Sequence, residues 1–377
     1  MGLEIIAFYL PQYHPFKEND EWWGKGFTEW TNVGKAKPLF KGHNQPRVPS
    51  ELGYYDLRLP IIREQQAQMA RDAGVTAFCY WHYWFGNGKR LIPEVFDEVL
   101  ESGKPDFPFC LGWANHSWYA KNWNSDGTTT EKLLMEQTYP GIEDEKMHFT
   151  FLLKAFKDER YVKIDGMPIL YIFSPIDLPQ EYIDNFRKWT KEAGFPDLFL
   201  LANMANPKYT REMAIQAGYK GMVPQRLGGK LHKLEKHSDL YIRWLQINWR
   251  KIVGFIKHRP PFIEDYKKLI PSLINQDDYD EFIIPSIVPQ WDHTPRSGWN
   301  GSLFVNATPD LFYQHVKSAL DAVKRKKHPI LFLKSWNEWG EGNMMEPDLT
   351  YGRGFVESLR KAVDEFTCNT KQNRKEE

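Results

Sequence analysis

Two glutamates stand three residues apart in the run Trp336-Asn337-Glu338-Trp339-Gly340-Glu341-Gly342. Paired carboxyls suit the cleavage of a glycosidic bond. One protonates the leaving oxygen while the other assists attack at the anomeric carbon. The flanking Trp336 and Trp339 would exclude water, which raises one carboxyl's pKa and keeps it protonated near neutrality. Gly340 and Gly342 permit a tight turn that aims both carboxylates at one point. The alternative is a surface turn with two solvated glutamates.

Other chemistry-bearing residues also gather just after apolar runs. Tyr13 and His14 follow the first run, with Glu29 and Trp30 further along. His82 and Tyr83 follow the second; Trp113, Asn115 and His116 follow the third. Gln290, Trp291 and Asp292 stand before Thr294-Pro295-Arg296, and Glu346 lies beyond the glutamate pair. Tyr13, His14, Trp30, His82, Tyr83, Trp113, Asn115, His116, Gln290, Trp291, Asp292 and Glu346, together with Trp336, Asn337 and Trp339 of the glutamate run, are taken as candidate sugar-binding residues, with loop packing the second reading for Tyr13 and His14. Glu29 is set between sugar binding and a buried ion pair with Arg47 or Lys35. Asp292 and Arg296 are set between subsite and structural roles, and Glu346 between the pocket and a cap on the following segment. A metal held by His82, His116 and His293 is disfavoured, because no His-x-x-x-His face is present. No metal and no cofactor are expected.

These residues need a frame that brings them to one place. Eight short apolar runs recur: Glu4 to Tyr9, Thr76 to Trp81, Phe109 to Trp113, Ile169 to Phe173, Leu198 to Ala202, Gly221 to Pro224, Ile283 to Val288 and Ile330 to Lys334. Helical patterns separate many of them, clearest at 59–73, 143–156, 180–193, 309–326 and 354–366. Asp72-Ala73-Gly74 and Glu192-Ala193-Gly194 resemble helix ends with glycine past the last turn. Continuous apolar strands alternating with helices mean a parallel sheet. Eight such units favour an α/β fold of the (β/α)₈ TIM-barrel kind with long βα loops, over an open doubly wound sheet. In such a barrel the active site lies at the C-terminal ends of the strands, where the unusual residues gather. The long loops span 11–58, 115–165 and 226–280. The expected organisation is one catalytic barrel over 1–367 and a flexible tail over 368–377.

Composition narrows the function. The chain has 377 residues, 15% of them aromatic, with 49 basic and 49 acidic residues. Aromatic faces stack on sugar rings. Zero net charge argues against nucleic acid. Cys79, Cys110 and Cys368 show no disulfide or metal spacing and are expected reduced. The sequence runs from Met1 directly into the first strand, and a cytoplasmic location is expected. One segment departs from charge balance: 226–259 carries nine Lys/Arg and two Asp/Glu. Its helical pattern favours a barrel helix with a solvated basic face. The second reading is peripheral contact with an anionic membrane or a lipid-linked glycan. Arg226-Leu227-Gly228-Gly229 is a poor candidate for a phosphate loop.

Four segments carry a resemblance that spans nearly the whole chain. Phe8-Tyr9-Leu10-Pro11-Gln12-Tyr13-His14-Pro15, Gly26-Phe27-Thr28-Glu29-Trp30-Thr31-Asn32-Val33, Trp113-Ala114-Asn115 and the glutamate run resemble the WbsX-like proteins. That group is often described as glycosyltransferases of polysaccharide biosynthesis, and is similar in turn to family 99 glycoside hydrolases, the endo-α-mannosidases and endo-α-mannanases. The resemblance implies a retaining, cofactor-free barrel. Glu338 would take the proton of the substrate's own 2-hydroxyl, which attacks to give a 1,2-anhydro sugar. Glu341 would act as acid and then base. His116-Ser117-Trp118 departs from the group, which has a Glu after the Asn and then another Trp with basic residues.

The sequence thus favours a retaining endo-acting hydrolase of α-linked, mannose-like glycans, with an oligo- or polysaccharide as its partner. A glycosyltransferase of O-antigen or capsular polysaccharide assembly and a non-catalytic glycan-binding barrel are the alternatives. A metal-dependent hydrolase is weaker.

Overall fold

The structure is a computed structural model, and it describes residues 2–123, 129–226, 240–256, 259–260 and 262–376. Residues 227–239, which include the Gly228-Gly229 pair, lie outside the described set.

Eight parallel strands form the frame. They are β1 (Glu4–Tyr9), β2 (Ala77–His82), β3 (Phe109–Trp113), β4 (Met167–Ile172), β5 (Phe199–Asn203), β6 (Gly221–Val223), β7 (Ser286–Ile287) and β8 (Ile330–Leu333). Each pairs with the next from β1 to β6, while β8 lies between β7 and β1. The last gap is bridged by Met222, whose N–H donates to Phe282 and whose carbonyl accepts from Ile284, both at 2.8 Å. The sheet therefore curls into a nearly closed barrel, as the eight apolar runs predict. Every residue of β2, β3 and β5 is buried, which explains why these strands appear in sequence as unbroken apolar runs.

Side chains alternate between the two faces of each strand. Inside, Phe8 meets Trp81, Tyr171 and Phe332 with ring centroids 4.9, 5.0 and 5.1 Å away. Tyr171 is on a strand that does not neighbour β1, so this contact crosses the barrel interior. Outside, the strands meet helices Pro60–Ala73, Ile142–Phe156, Gln180–Glu192, Pro309–Val323 and Gly354–Glu376. Gly74 and Gly194, with φ of 87° and 96°, turn the chain out of two of these helices, as predicted.

Three details differ from the sequence expectation. The final helix runs to Glu376, so the stretch from Cys368 expected as a tail continues the helix. It holds no glycine or proline to stop one. Loop 115–165 contains an antiparallel hairpin, Trp118–Trp123 with Thr129–Met135. Loop 11–58 contains helices Lys17–Trp23 and Glu29–Lys35, the second started by a capping box on Thr28.

Candidate active site

The glutamate pair sits where β8 leaves the barrel. Asn337–Glu338 pairs antiparallel with Asn343–Met344, folding the chain straight back on itself. A 3₁₀ turn, Trp339–Glu341, lies between, and Gly342 closes it at φ 53°. A Cβ at Gly342 would lie 2.7 Å from that of Asp292, and one at Gly340 would press on the Glu29 carboxylate. Glycine is therefore required at both positions by space, and at Gly342 by conformation as well.

Several predicted sugar ligands instead hold this turn in place. The Asn337 amide accepts from Leu10 N at 2.7 Å and donates to Leu10 O at 3.0 Å. The Tyr13 hydroxyl donates to Asn337 O at 2.6 Å and accepts from Trp339 N at 2.9 Å. Asp292 accepts from His43, Gln45 and Thr294, and its N–H donates to Glu341 O at 2.7 Å. Burial opposes the charge on Asp292, yet these hydrogen bonds keep its pKa below the ordinary value. The long segments after β1 and β7 are thus locked to the pair's own turn by buried polar contacts.

The two carboxyls have opposite surroundings. Glu338 is 5% exposed, and Trp81 Nε1 donates to it at 3.2 Å. Burial, and then the negative charge of Glu341, push its pKa up to about 8. Burial would also raise Glu341, but cations outweigh it. Arg296 Nη1 donates to Glu341 at 2.6 Å, Lys334 Nζ is 3.9 Å away and His293 Nε2 is 3.8 Å away. A hydrogen bond from Glu338 adds to their effect, and Glu341 is held far below the usual carboxylate range. One proton therefore belongs to the pair and rests on Glu338. This resting state is the reverse of the roles that the resemblance implies.

Arg296 is shared. It also pairs with Glu29, with Nε at 3.1 Å and Nη2 at 3.0 Å. Glu29 is thus engaged in a buried ion pair, though with Arg296 rather than Arg47 or Lys35; Arg47 pairs with Asp348 instead. Lys334 lies over the Trp291 ring at 5.6 Å, and His293 stacks on the same indole. Among the described residues no cluster of three His, Cys, Asp or Glu side chains is placed to hold a metal ion.

The glycosyltransferase WbsX family matches residues 5–359. This chain belongs to that family. WbsX is a family of carbohydrate-active enzymes, and the matched span contains the carboxylate pair and all eight strands except Glu4. An uncharacterised protein, WxcX of Xanthomonas campestris pv. campestris, is 30% identical over 367 residues, which is 95% of this chain and 49% of WxcX. The chain thus spans about half the length of the curated relatives it matches. Two structures of the GH99 endo-α-mannosidase of Bacteroides thetaiotaomicron share the fold. Their TM-scores are 0.57 and 0.55 at 14% and 15% identity, over 100% and 98% of this chain and all of theirs.

Within this WbsX barrel, the remaining predicted residues divide into two groups. Near the pair are Tyr83, whose hydroxyl accepts from Gln12, and Trp291, alongside Gln290 bonded to Met344 O. Away from it are His82 and Trp113, which point outward. His82 Nε2 lies 2.9 Å from His148 Nε2, and Trp113 packs on His148 and Tyr182. Asn115 fastens Ser174 and Tyr139, and His116 lies against Phe173. His14 is buried with Nδ1 on Pro15 O. Trp336 packs on Phe78, and Trp339 donates to Glu346. Trp30 donates to Tyr55 O and lies on Trp339. The indole that contacts Glu338 is thus Trp81, from inside the barrel, rather than either flanking tryptophan. Glu346 forms a separate buried network with Tyr55 and Gln66.

Sequence reasoning left Lys334 and Trp81 out of the site. Lys334 had a signal, a cation ending the otherwise apolar eighth strand. Trp81 had none, since it stands in an unbroken apolar run.

Proposed function

We propose that this barrel acts on a glycosidic bond with Glu338 as the proton donor and Glu341 as the base. The observation that carries the reading is geometric: Arg296 donates to the Glu341 carboxylate at 2.6 Å, while Glu338 is buried against the Trp81 indole with no cation donating to it among the described residues. A carboxyl with a pKa near 8 stays loaded at neutral pH and can protonate a leaving oxygen. Glu341 would take the proton of the substrate's 2-hydroxyl. That oxygen attacks the anomeric carbon as the bond to the leaving oxygen breaks, giving a 1,2-anhydro sugar. Glu338, now ionised, then removes a proton from water, which opens the strained ring, and Glu341 returns its proton to O2. The anomeric configuration is retained. The fold shared with an endo-α-mannosidase supports an α-linked, mannose-like glycan as the substrate.

The test is incubation with a panel of α-linked glycans that includes α-mannans. Oligosaccharide release that Glu341→Gln abolishes is the expected result, and equal cleavage by that variant refutes the assignment. Aryl glycosides with very acidic leaving groups separate the two roles. They need no acid, so they should restore turnover to Glu338→Gln and leave Glu341→Gln inactive.

The family description favours a second reading, transfer to a sugar hydroxyl in place of water during O-antigen or capsule assembly. Calorimetric binding of a nucleotide sugar would select it. The opposite result, glycan cleavage with no nucleotide sugar bound, selects hydrolysis.

A further inference from the structure

The segment with the strongest charge imbalance forms helix Leu240–Ile256, as its pattern predicts, but the solvated face is not basic. Leu245, Trp249, Ile252, Phe255 and Ile256 all lie open to solvent, with Trp249 67%, Phe255 74% and Ile256 70% exposed. At 100° per residue these five positions share one arc of the helix. On the opposite side Gly254 is buried, and Arg250 turns toward Glu264 with 3.7 Å between charges. Among the described residues, Gly254 and Arg250 thus turn away from solvent, and the apolar arc is left outward. Monomeric proteins rarely expose a contiguous patch of this kind without using it.

We infer that helix Leu240–Ile256 docks the enzyme flat on an anionic lipid bilayer. Charge complementarity selects this occupant. The helix lies within a stretch of nine basic and two acidic residues, in a chain of zero formal charge. Lys251 and Arg259 are exposed beside the apolar arc. Tryptophan and phenylalanine on one side with lysine and arginine around them is the composition of helices that lie in the headgroup plane. At 1.5 Å per residue the 17-residue helix is about 25 Å long, enough to rest along a surface. No described helix is long and apolar enough to cross a membrane, so the contact is peripheral.

The helix is linked to the proposed active site through Arg259, whose N–H donates to Gly254 O at 3.0 Å. Arg259 lies over the Phe40 ring at 5.4 Å, Phe40 stacks on His43 at 4.7 Å, and His43 bonds Asp292 at 2.8 Å. The surface would thus bring the catalytic rim to glycans held at a bilayer. The docking itself stands apart from the proposed chemistry.

The experiment is sedimentation of the chain with vesicles of phosphatidylcholine, with and without phosphatidylglycerol, at low and high salt. The wild type should pellet with the anionic vesicles and be released by salt. Trp249→Glu/Phe255→Glu should lose at least about tenfold in binding, with an unchanged circular dichroism spectrum and unchanged activity on a soluble glycan. Lys251→Glu should weaken binding to a smaller degree. Failure to pellet with anionic vesicles, equal pelleting of the double variant, or equal pelleting with neutral vesicles each overturns the inference. So does concentration-dependent dimerisation in sedimentation velocity that the double variant abolishes, which would assign the face to a second copy.

Discussion

Glu338/Glu341 and Glu346 are buried carboxyl sites a few residues apart on one loop, yet they differ in how their oxygens are satisfied. Glu346 accepts from Gln66 Nε2 at 2.6 Å, Tyr55 Oη at 2.8 Å and Trp339 Nε1 at 2.6 Å. Those donors oppose burial, which still pushes its pKa up to about 7. Glu338 has one indole donor, and Glu341 keeps a buried oxygen that no group outside the pair satisfies among the described residues. A saturated carboxylate is a structural tie. An unsaturated pair sharing one proton beside Arg296, Lys334 and the His293 imidazole has capacity left for a substrate.

The largest effect would come from exchanging the two kinds of site. Glu341→Gln should lower glycan turnover by about 10³-fold, within the range of acid–base catalysis, and also cost stability by removing one carboxylate partner of Arg296. Glu346→Gln should cost stability but spare turnover. It places an amide against three donors and should cost about 1–3 kcal/mol of stability, while turnover stays within about tenfold. Steady-state kinetics and thermal melts on both variants test this, and equal turnover losses would break the distinction.

Arg296→Met comes next. It leaves Glu29 and Glu341 without their shared cation in a largely buried place. Removing one partner of a buried pair costs about 3–5 kcal/mol, and the 24% exposure of the Arg296 side chain places this variant at the lower end. Glu341 should then ionise at a higher pH than in the wild type, moving the acid limb of the pH–rate profile upward. An unchanged acid limb would mean that Arg296 does not set the base.

Glu338→Gln tests the raised carboxyl through stability. A group raised on folding is neutral in both states below its ordinary value of 4.5. From there to about 8 the unfolded chain ionises while the folded one stays protonated, so wild-type stability falls as pH rises through that window. Gln does not ionise in either state. The variant should gain on the wild type from about pH 5 to about pH 8, then hold a constant lead. Urea melts across that range measure it, and parallel curves would refute a raised pKa.

The sequence exposed the frame and the pair for the same reason: both are local. An apolar run between helices marks a barrel strand, and Glu-x-x-Glu beside glycines marks a turn with two acids. The cation set was hidden because it is assembled from afar. Glu29 and Arg296 lie 267 positions apart and meet only through loop packing. Strand parity was hidden too. In a barrel both faces of a strand are buried, so the two-residue alternation loses its hydrophobic signal. Trp81 and His82 are adjacent in sequence, but one enters the site and the other leaves it. The same parity sends Trp113 outward while its neighbour Gly112 lies within contact distance of Trp81. The helix over 240–256 was legible as a helix, but not which of its faces the barrel would leave open.

His82→Phe should have the smallest effect on activity and most directly tests this parity. Its ring stacks on Phe151 at 4.9 Å and meets His148, both on helix Ile142–Phe156. Burial lowers the pKa of both histidines well below the ordinary value, so the pair is neutral and one ring donates to the other. Phenylalanine keeps the stacking and removes the hydrogen bond. His148 then has an unsatisfied nitrogen, at a cost of about 1–3 kcal/mol. A residue on the outer face of β2 has no route to the substrate, so turnover should remain within about twofold of wild type, a negligible change in barrier. A large fall in kcat with the melting temperature unchanged would place His82 in the chemistry.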